Sequence, residues 1–178
     1  ADPTQLLTLP DTVAGRFSPY AVLLQRGDPA AVPGVADGRV GVQDEGSQLA
    51  AIALADVPAD QIGATKPERW LDIAAGPGGK AALLGAIAGA AGHHLLANEI
   101  APHRAELVEH AVVAVNSMYP GTVMVRTGDG RNLPDELAGQ FDRVLDFVAT
   151  GGYALRAYER YARLKKTEDG KWRIANPQ

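Results

Sequence analysis

The residues of this chain best suited to chemistry are a glycine-rich turn, Ala74-Ala75-Gly76-Pro77-Gly78-Gly79-Lys80, and three acids beyond it, Glu99, Asp129 and Asp146. A short apolar run, Trp70–Ala74, leads into the turn. Gly79–Ala91 leaves it, with Leu83, Leu84 and Ile87 at helical spacing and Gly92 as a stop. A strand that feeds a glycine turn into a helix makes a cradle for anions and nucleotides. Its glycines let the backbone approach a ligand, and the helix N-terminus offers free N–H groups.

Three nucleotide classes compete for such a cradle. A phosphate-binding loop of the Walker type needs glycine where Ala74 stands and Ser or Thr where Ala81 stands, so it fails. A dinucleotide fingerprint can be laid over Gly76–Ala81, with Glu99 about 20 residues on, but that pattern alone is weak. The acids favour S-adenosylmethionine. Glu99 ends the second strand, where a carboxylate can accept both ribose hydroxyls. Asp129, in Gly128-Asp129-Gly130, ends the third and is placed for an adenine amino group. Asp146 follows the fourth, near where a methionine end and its sulfonium would lie. Carboxyl ends of parallel strands are the usual ligand edge of such sheets. A single Asp there can equally be a loop cap.

The elements that would position these residues alternate. After Trp70–Ala74 come a second strand at His94–Asn98, a helix starting near Pro102 with the stripe Val108, Ala111, Val112 and Val115, a third strand at Thr122–Arg126 and a fourth at Phe141–Leu145. This order predicts an α/β fold with a doubly wound, mostly parallel sheet. Residues 1–48, rich in Pro and Gly, read as a lead-in or connector with a strand signal at Tyr20–Leu24. A helix follows, with Ser47 as its N-cap and the acidic pair Asp44-Glu45 at its positive end. Residues 49–156 form the cofactor domain. In 157–178, the segments Ala162–Thr167 and Lys171–Ala175 flank Glu168-Asp169-Gly170. They predict an antiparallel hairpin that closes the edge of the sheet.

Composition sets outer bounds. With 46% hydrophobic and 21% charged residues, the chain reads as a globular domain with a core. No apolar run nears the roughly 18 residues of a membrane span, and the first residues do not resemble a signal peptide, so a cytoplasmic protein is expected. There are no cysteines, which excludes disulfides and any thiolate nucleophile. The four histidines, His93, His94, His103 and His110, lack metal-motif spacing, and no metal is expected. The net charge of −4 gives no general support for nucleic-acid binding. Residues 151–178, however, hold seven Lys or Arg against three acids and tyrosines that could stack on bases, so this basic segment is a candidate RNA contact, or else a solvated surface.

Several stretches together resemble the bacterial Sun/Fmu family of RNA cytosine-5 methyltransferases. They are Val42–Leu49, Trp70–Leu84, Asn98-Glu99 with Pro102-His-Arg104, Gly128–Arg131 and Phe141–Leu145, in order across roughly residues 17–156. The resemblance implies a class I methyltransferase fold, S-adenosylmethionine or S-adenosylhomocysteine held by Ala74–Lys80, Glu99, Asp129 and Asp146, and Arg104 in support of Glu99. It places Gln43-Asp44-Glu45 in the family's connector. It also implies a cysteine nucleophile from an Asp-Ala-Pro-Cys turn after the fourth strand. Here Asp146-Phe-Val-Ala149-Thr-Gly-Gly-Tyr stands there, with one residue lost ahead of Asp146, Val148 at the proline and Ala149 at the nucleophile. A cofactor-binding domain without cytosine-5 activity is therefore expected. The alternatives are a non-catalytic structural or engineered derivative of the fold and, more remotely, an NAD(P)-dependent oxidoreductase.

Overall fold

A computed structural model of the chain describes residues 3–59 and 67–146, together with the backbone of 164–166 and 172–174. A one-turn helix, α1 (Pro3–Leu6), precedes a small antiparallel hairpin of β1 (Thr12–Ala14) and β2 (Val22–Leu24), the latter within the strand signal at Tyr20–Leu24. Helix α2 covers Glu45–Ala55. Its N-cap is Asp44 rather than Ser47: the Asp44 carboxylate accepts the Ser47 N–H at 3.1 Å. An ionised acceptor also suits the positive end of the helix dipole. A boundary between connector and cofactor domain at residue 48 would fall inside this helix.

The central sheet has the order β5-β4-β3-β6, with every pairing parallel. Its strands are β3 (Arg69–Asp72), β4 (His94–Glu99), β5 (Val123–Thr127) and β6 (Arg143–Leu145). Helix α3 (Gly79–Ala90) connects β3 to β4, and α4 (Pro102–Met118) connects β4 to β5. Strand β3 is buried from Trp70 to Asp72 and is flanked by strands on both sides, which gives Trp70 and Leu71 a covered place on opposite faces. Alternate side chains serve opposite faces. Trp70 joins Ala51, Leu84, Leu95, Val108 and Val112 on one face, while Leu71 joins Ile73, Leu133, Phe141 and Val144 on the other. After β5 the chain crosses back over β4 and β3 and lays β6 on the far side of β3. The winding direction therefore reverses between β3 and β6, and the carboxyl ends of the strands at such a reversal are where sheets of this kind commonly form a ligand crevice.

The predicted C-terminal hairpin forms between β7 (Leu164–Lys166) and β8 (Trp172–Ile174), as a two-stranded sheet of its own. Among the described residues neither strand pairs with the central sheet, so the expected edge closure is not part of this pairing. No helix among them is long and apolar enough to cross a membrane.

The amino edge of the sheet is fastened by a buried ion pair. Glu68 accepts from Arg143 Nε at 2.6 Å and from Trp70 Nε1 at 2.7 Å. Arg143 also donates to the carbonyls of Leu54 at 2.8 Å and Val57 at 2.6 Å, beyond which α2 runs back toward the connector. His93 is buried here too, its Nδ1 accepting the Glu68 N–H at 3.2 Å. Removing one partner of a buried pair leaves the other charge uncompensated. Arg143→Met should therefore cost about 3–5 kcal/mol in urea unfolding, and adding Glu68→Leu should recover much of that loss. A single variant as stable as the parent would show that the pair does not hold the edge.

Candidate cofactor site

The glycine turn after β3 is positioned by three different neighbours. The carboxylate of Glu99, at the end of β4, accepts the Gly76 N–H at 3.0 Å on one oxygen and the Ala101 N–H at 3.0 Å on the other. Arg104, in the first turn of α4, donates to the Gly76 carbonyl at 2.6 Å, and its Nε lies 3.8 Å from Glu99. A β-carbon on Gly76 would collide with the Glu99 carboxylate. Gly78 has φ +109° and caps α3 with no side-chain hydrogen bond; a β-carbon there would lie 2.6 Å from that of Ala111 and 3.0 Å from Cα of Val108. Gly79 faces the connector, where the Gln43 amide carbon would be 3.3 Å from an added β-carbon. The Gly76–Pro77 peptide is cis. The glycines that sequence reasoning reserved for a ligand are thus required first by close packing, against Glu99, against α4 and against Gln43.

The acids fall in a row along the carboxyl edge. Following the strand order, Asp129 lies beyond β5, Glu99 ends β4, Asp72 ends β3 and Asp146 follows β6. They differ in what already engages them. Asp129 caps the short turn Gly130–Asn132 through the Arg131 N–H and pairs with the Arg131 guanidinium at 2.6 Å, which holds its carboxyl below the usual range. Glu99 carries the two backbone N–H groups described above and is 2% exposed. Asp146 is different: both of its oxygens are covered and have no partner among the described residues, and burial pushes its carboxyl up.

Asp72 was not singled out from the sequence, although it stands at a strand end like the other three. It is fully buried; Oδ1 accepts the Ala74 N–H at 3.3 Å and Oδ2 has no partner. Burial raises its pKa to about 7, against the opposing charge of Lys80 and with help from Asp146 and Glu99. The signal that could have found it is its place: it closes the strand that feeds the turn, one step before Ile73, whose N–H donates to the Leu145 carbonyl.

Four side-chain atoms among the described residues are buried without a partner: Asp72 Oδ2, both oxygens of Asp146 and Nε2 of Gln43. Native interiors satisfy nearly all such atoms, so a cluster of exceptions asks for an explanation. Asp72 and Asp146 flank the crevice at the reversal point, because Asp72 pairs with Leu145 across β3 and β6. Gln43 sits on Gly79 at the head of α3. All four belong to the surroundings of one turn, as expected of groups that await a polar ligand. Ala149 and the rest of the stretch aligned with the nucleophile turn lie outside the described residues.

The sequence profile of the family described as "16S rRNA methyltransferase RsmB/F" matches residues 61–177. The chain belongs to that family. Two Mycobacterium tuberculosis proteins, named "Putative methyltransferase Rv1407" (strain H37Rv) and "Putative methyltransferase MT1451" (strain CDC 1551 / Oshkosh), are each 48% identical to it over 143 residues. Those matches take in 80% of this chain but 29% of each relative, so the chain spans under a third of their length. Among solved structures, PH0851 superposes with a TM-score of 0.58 at 21% identity, over 75% of this chain and 28% of that one. NSun6 from Pyrococcus horikoshii, solved with SFG, gives 0.51 at 19% identity, over 69% and 29%. The fold is that of the class I methyltransferases, and the family that matches is one of methyltransferases.

Two expectations follow from the geometry. Gly78→Ala forces a side chain into left-handed backbone and against α4, so it should cost about 1–3 kcal/mol in unfolding experiments before any ligand is added. An unchanged midpoint would show that α4 can yield. Asp72 binds its proton more tightly folded than unfolded, where the reference value is 3.8. The stability it contributes is therefore complete below about pH 4 and is lost as pH rises through about 7. Asp72→Asn should match the parent near pH 4 and exceed it at pH 8 by up to about 4 kcal/mol. A gap in urea stability that does not vary with pH would mean that Asp72 is charged throughout.

Proposed function

We propose that this chain is the S-adenosylmethionine-binding part of an RNA methyltransferase and that, as it stands, it does not methylate cytosine C5. The observation that carries the first half is the set of unpartnered buried atoms around the glycine turn, at the carboxyl edge where such folds bind ligands. Ala74–Lys80 would lie along the cofactor. Glu99 keeps lone pairs beyond its two backbone contacts and would accept the ribose hydroxyls, with Arg104 fixing its position. Asp129 would meet the adenine amino group, and Asp146 the amino-acid and sulfonium end. RNA is the substrate class that the family suggests, with the basic segment 157–178 as its contact.

The second half rests on chemistry. The cofactor supplies an electrophilic methyl group, but C5 of cytosine is a poor nucleophile until a group adds to C6. The chain has no cysteine, and Ala149 occupies the aligned position. Thr150 would need a base to ionise it.

S-adenosylhomocysteine should bind in isothermal titration and NAD should not; the reverse result would overturn the cofactor reading. Incubation with ribosomal RNA and methyl-labelled cofactor should give no labelled 5-methylcytosine above a Gly78→Val control. Ala149→Cys alone should not create activity, because the turn also lacks its proline and one preceding residue, and attack geometry tolerates little displacement. Product from the unaltered chain would overturn this half.

A further inference from the structure

We propose that Gln43, in the connector ahead of the cofactor domain, is a specificity residue of the site: its side-chain amide donates to the carboxylate of the cofactor's amino-acid end. This rests on the cofactor reading above and adds to it a residue from outside the glycine turn and the strand-end acids.

The placement is set by three observations. Gln43 immediately precedes Asp44, the cap of α2, so its backbone is fixed at the start of that helix. The next residue but one, Glu45, accepts the N–H groups of Phe17 at 2.6 Å and Ser18 at 2.8 Å, which ties the same segment to the β1–β2 hairpin. The Gln43 side chain then lies along Gly79: an added β-carbon there would meet its Cδ at 3.3 Å, Cγ at 3.4 Å and Nε2 at 3.6 Å. The residue is half-buried, yet Nε2 is fully covered and finds no acceptor among the described residues. A primary amide has two N–H donors, and leaving them dry is costly.

The surroundings indicate which acceptor would satisfy them. Gly79 begins α3, whose left-handed cap Gly78 supplies no side-chain acceptor, so Gln43 lies against the N-terminal residue of a 12-residue helix, where backbone N–H groups lack intrahelical partners and the dipole is positive. Donors of this kind around one spot select an anionic oxygen. On the strand side, Asp72 Oδ2 and the two oxygens of Asp146 are acceptors without donors, which select a cation. An α-amino acid carries its carboxylate and its ammonium on one carbon. That pair matches a site with donors on the helix side and acceptors on the strand side. The only carboxylate of S-adenosylhomocysteine is on that carbon, and the adenosine end offers no anion.

The inference is tested by titration of the full chain with three ligands. They are S-adenosylhomocysteine, its decarboxylated 3-aminopropylthio analogue, and 5′-methylthioadenosine, which lacks the whole amino acid. Gln43→Met keeps the bulk and removes the donor; it should weaken S-adenosylhomocysteine binding about ten- to a hundredfold and leave the other two within about twofold. Gln43→Glu places a negative charge against the carboxylate and should weaken S-adenosylhomocysteine further, with the same selectivity. Equal losses for all three ligands, or a Glu variant that binds S-adenosylhomocysteine as the parent does, would overturn the assignment. Far-UV circular dichroism and the unfolding midpoint of each variant separate a folding defect from a ligand effect, because selectivity among the ligands survives only in the latter. Failure of the unaltered chain to bind S-adenosylhomocysteine would instead overturn the cofactor reading, and this inference with it.

Discussion

The carboxylate of Glu99 accepts the N–H of Gly76 on one oxygen and that of Ala101 on the other, and so ties the end of β4 to the turn after β3 and to the start of α4. Bonds from backbone N–H to a buried carboxylate are charge-assisted and stronger than neutral ones. Arg104 completes the link from the other side by donating to the Gly76 carbonyl. The remaining close contacts of the turn depend on this clamp. With Gly76 held, Gly78 is pressed against α4 and Gly79 comes under Gln43, so the head of α3 has a fixed place over the crevice. Residues 23 and 28 positions apart from Gly76 therefore behave as part of one loop. The clamp also explains why Gly76 cannot carry a side chain, since the carboxylate occupies the space.

The two ends of the central sheet treat buried charge in opposite ways. At the amino edge Glu68 and Arg143 are paired, and their remaining valences reach Trp70, Leu54 and Val57. That edge is structural: it joins β3, β6 and the end of α2 with every strong group engaged. At the carboxyl edge, Asp72 and Asp146 are brought together with oxygens that nothing in the described protein satisfies. Burying carboxylates in that way destabilises a fold, and the rise of the Asp72 pKa to about 7 is the molecule's partial relief. Such an arrangement persists where a ligand supplies what the protein withholds. Satisfied and unsatisfied charge are thus segregated to opposite ends of the strands rather than mixed within the core.

Much of the fold was legible in the linear sequence. The order of strands and helices, and the places of the glycine turn and of Glu99, Asp129 and Asp146 at strand ends, follow from periodicity and turn signals, because those depend on local geometry alone. The absence of cysteine, and with it of the cytosine-activating thiolate, is likewise a property of composition. Tertiary structure decided what these residues touch. It made Asp44 rather than Ser47 the cap of α2, committed Glu99 to the loop and to the start of α4, and engaged Asp129 with Arg131. It also revealed the unpartnered atoms of Asp72 and Gln43, one at the buried end of β3 and the other in a connector. Periodicity tells which side of an element faces inward. Whether a buried polar atom meets a partner there depends on residues dozens of positions away, and only the folded chain brings those together.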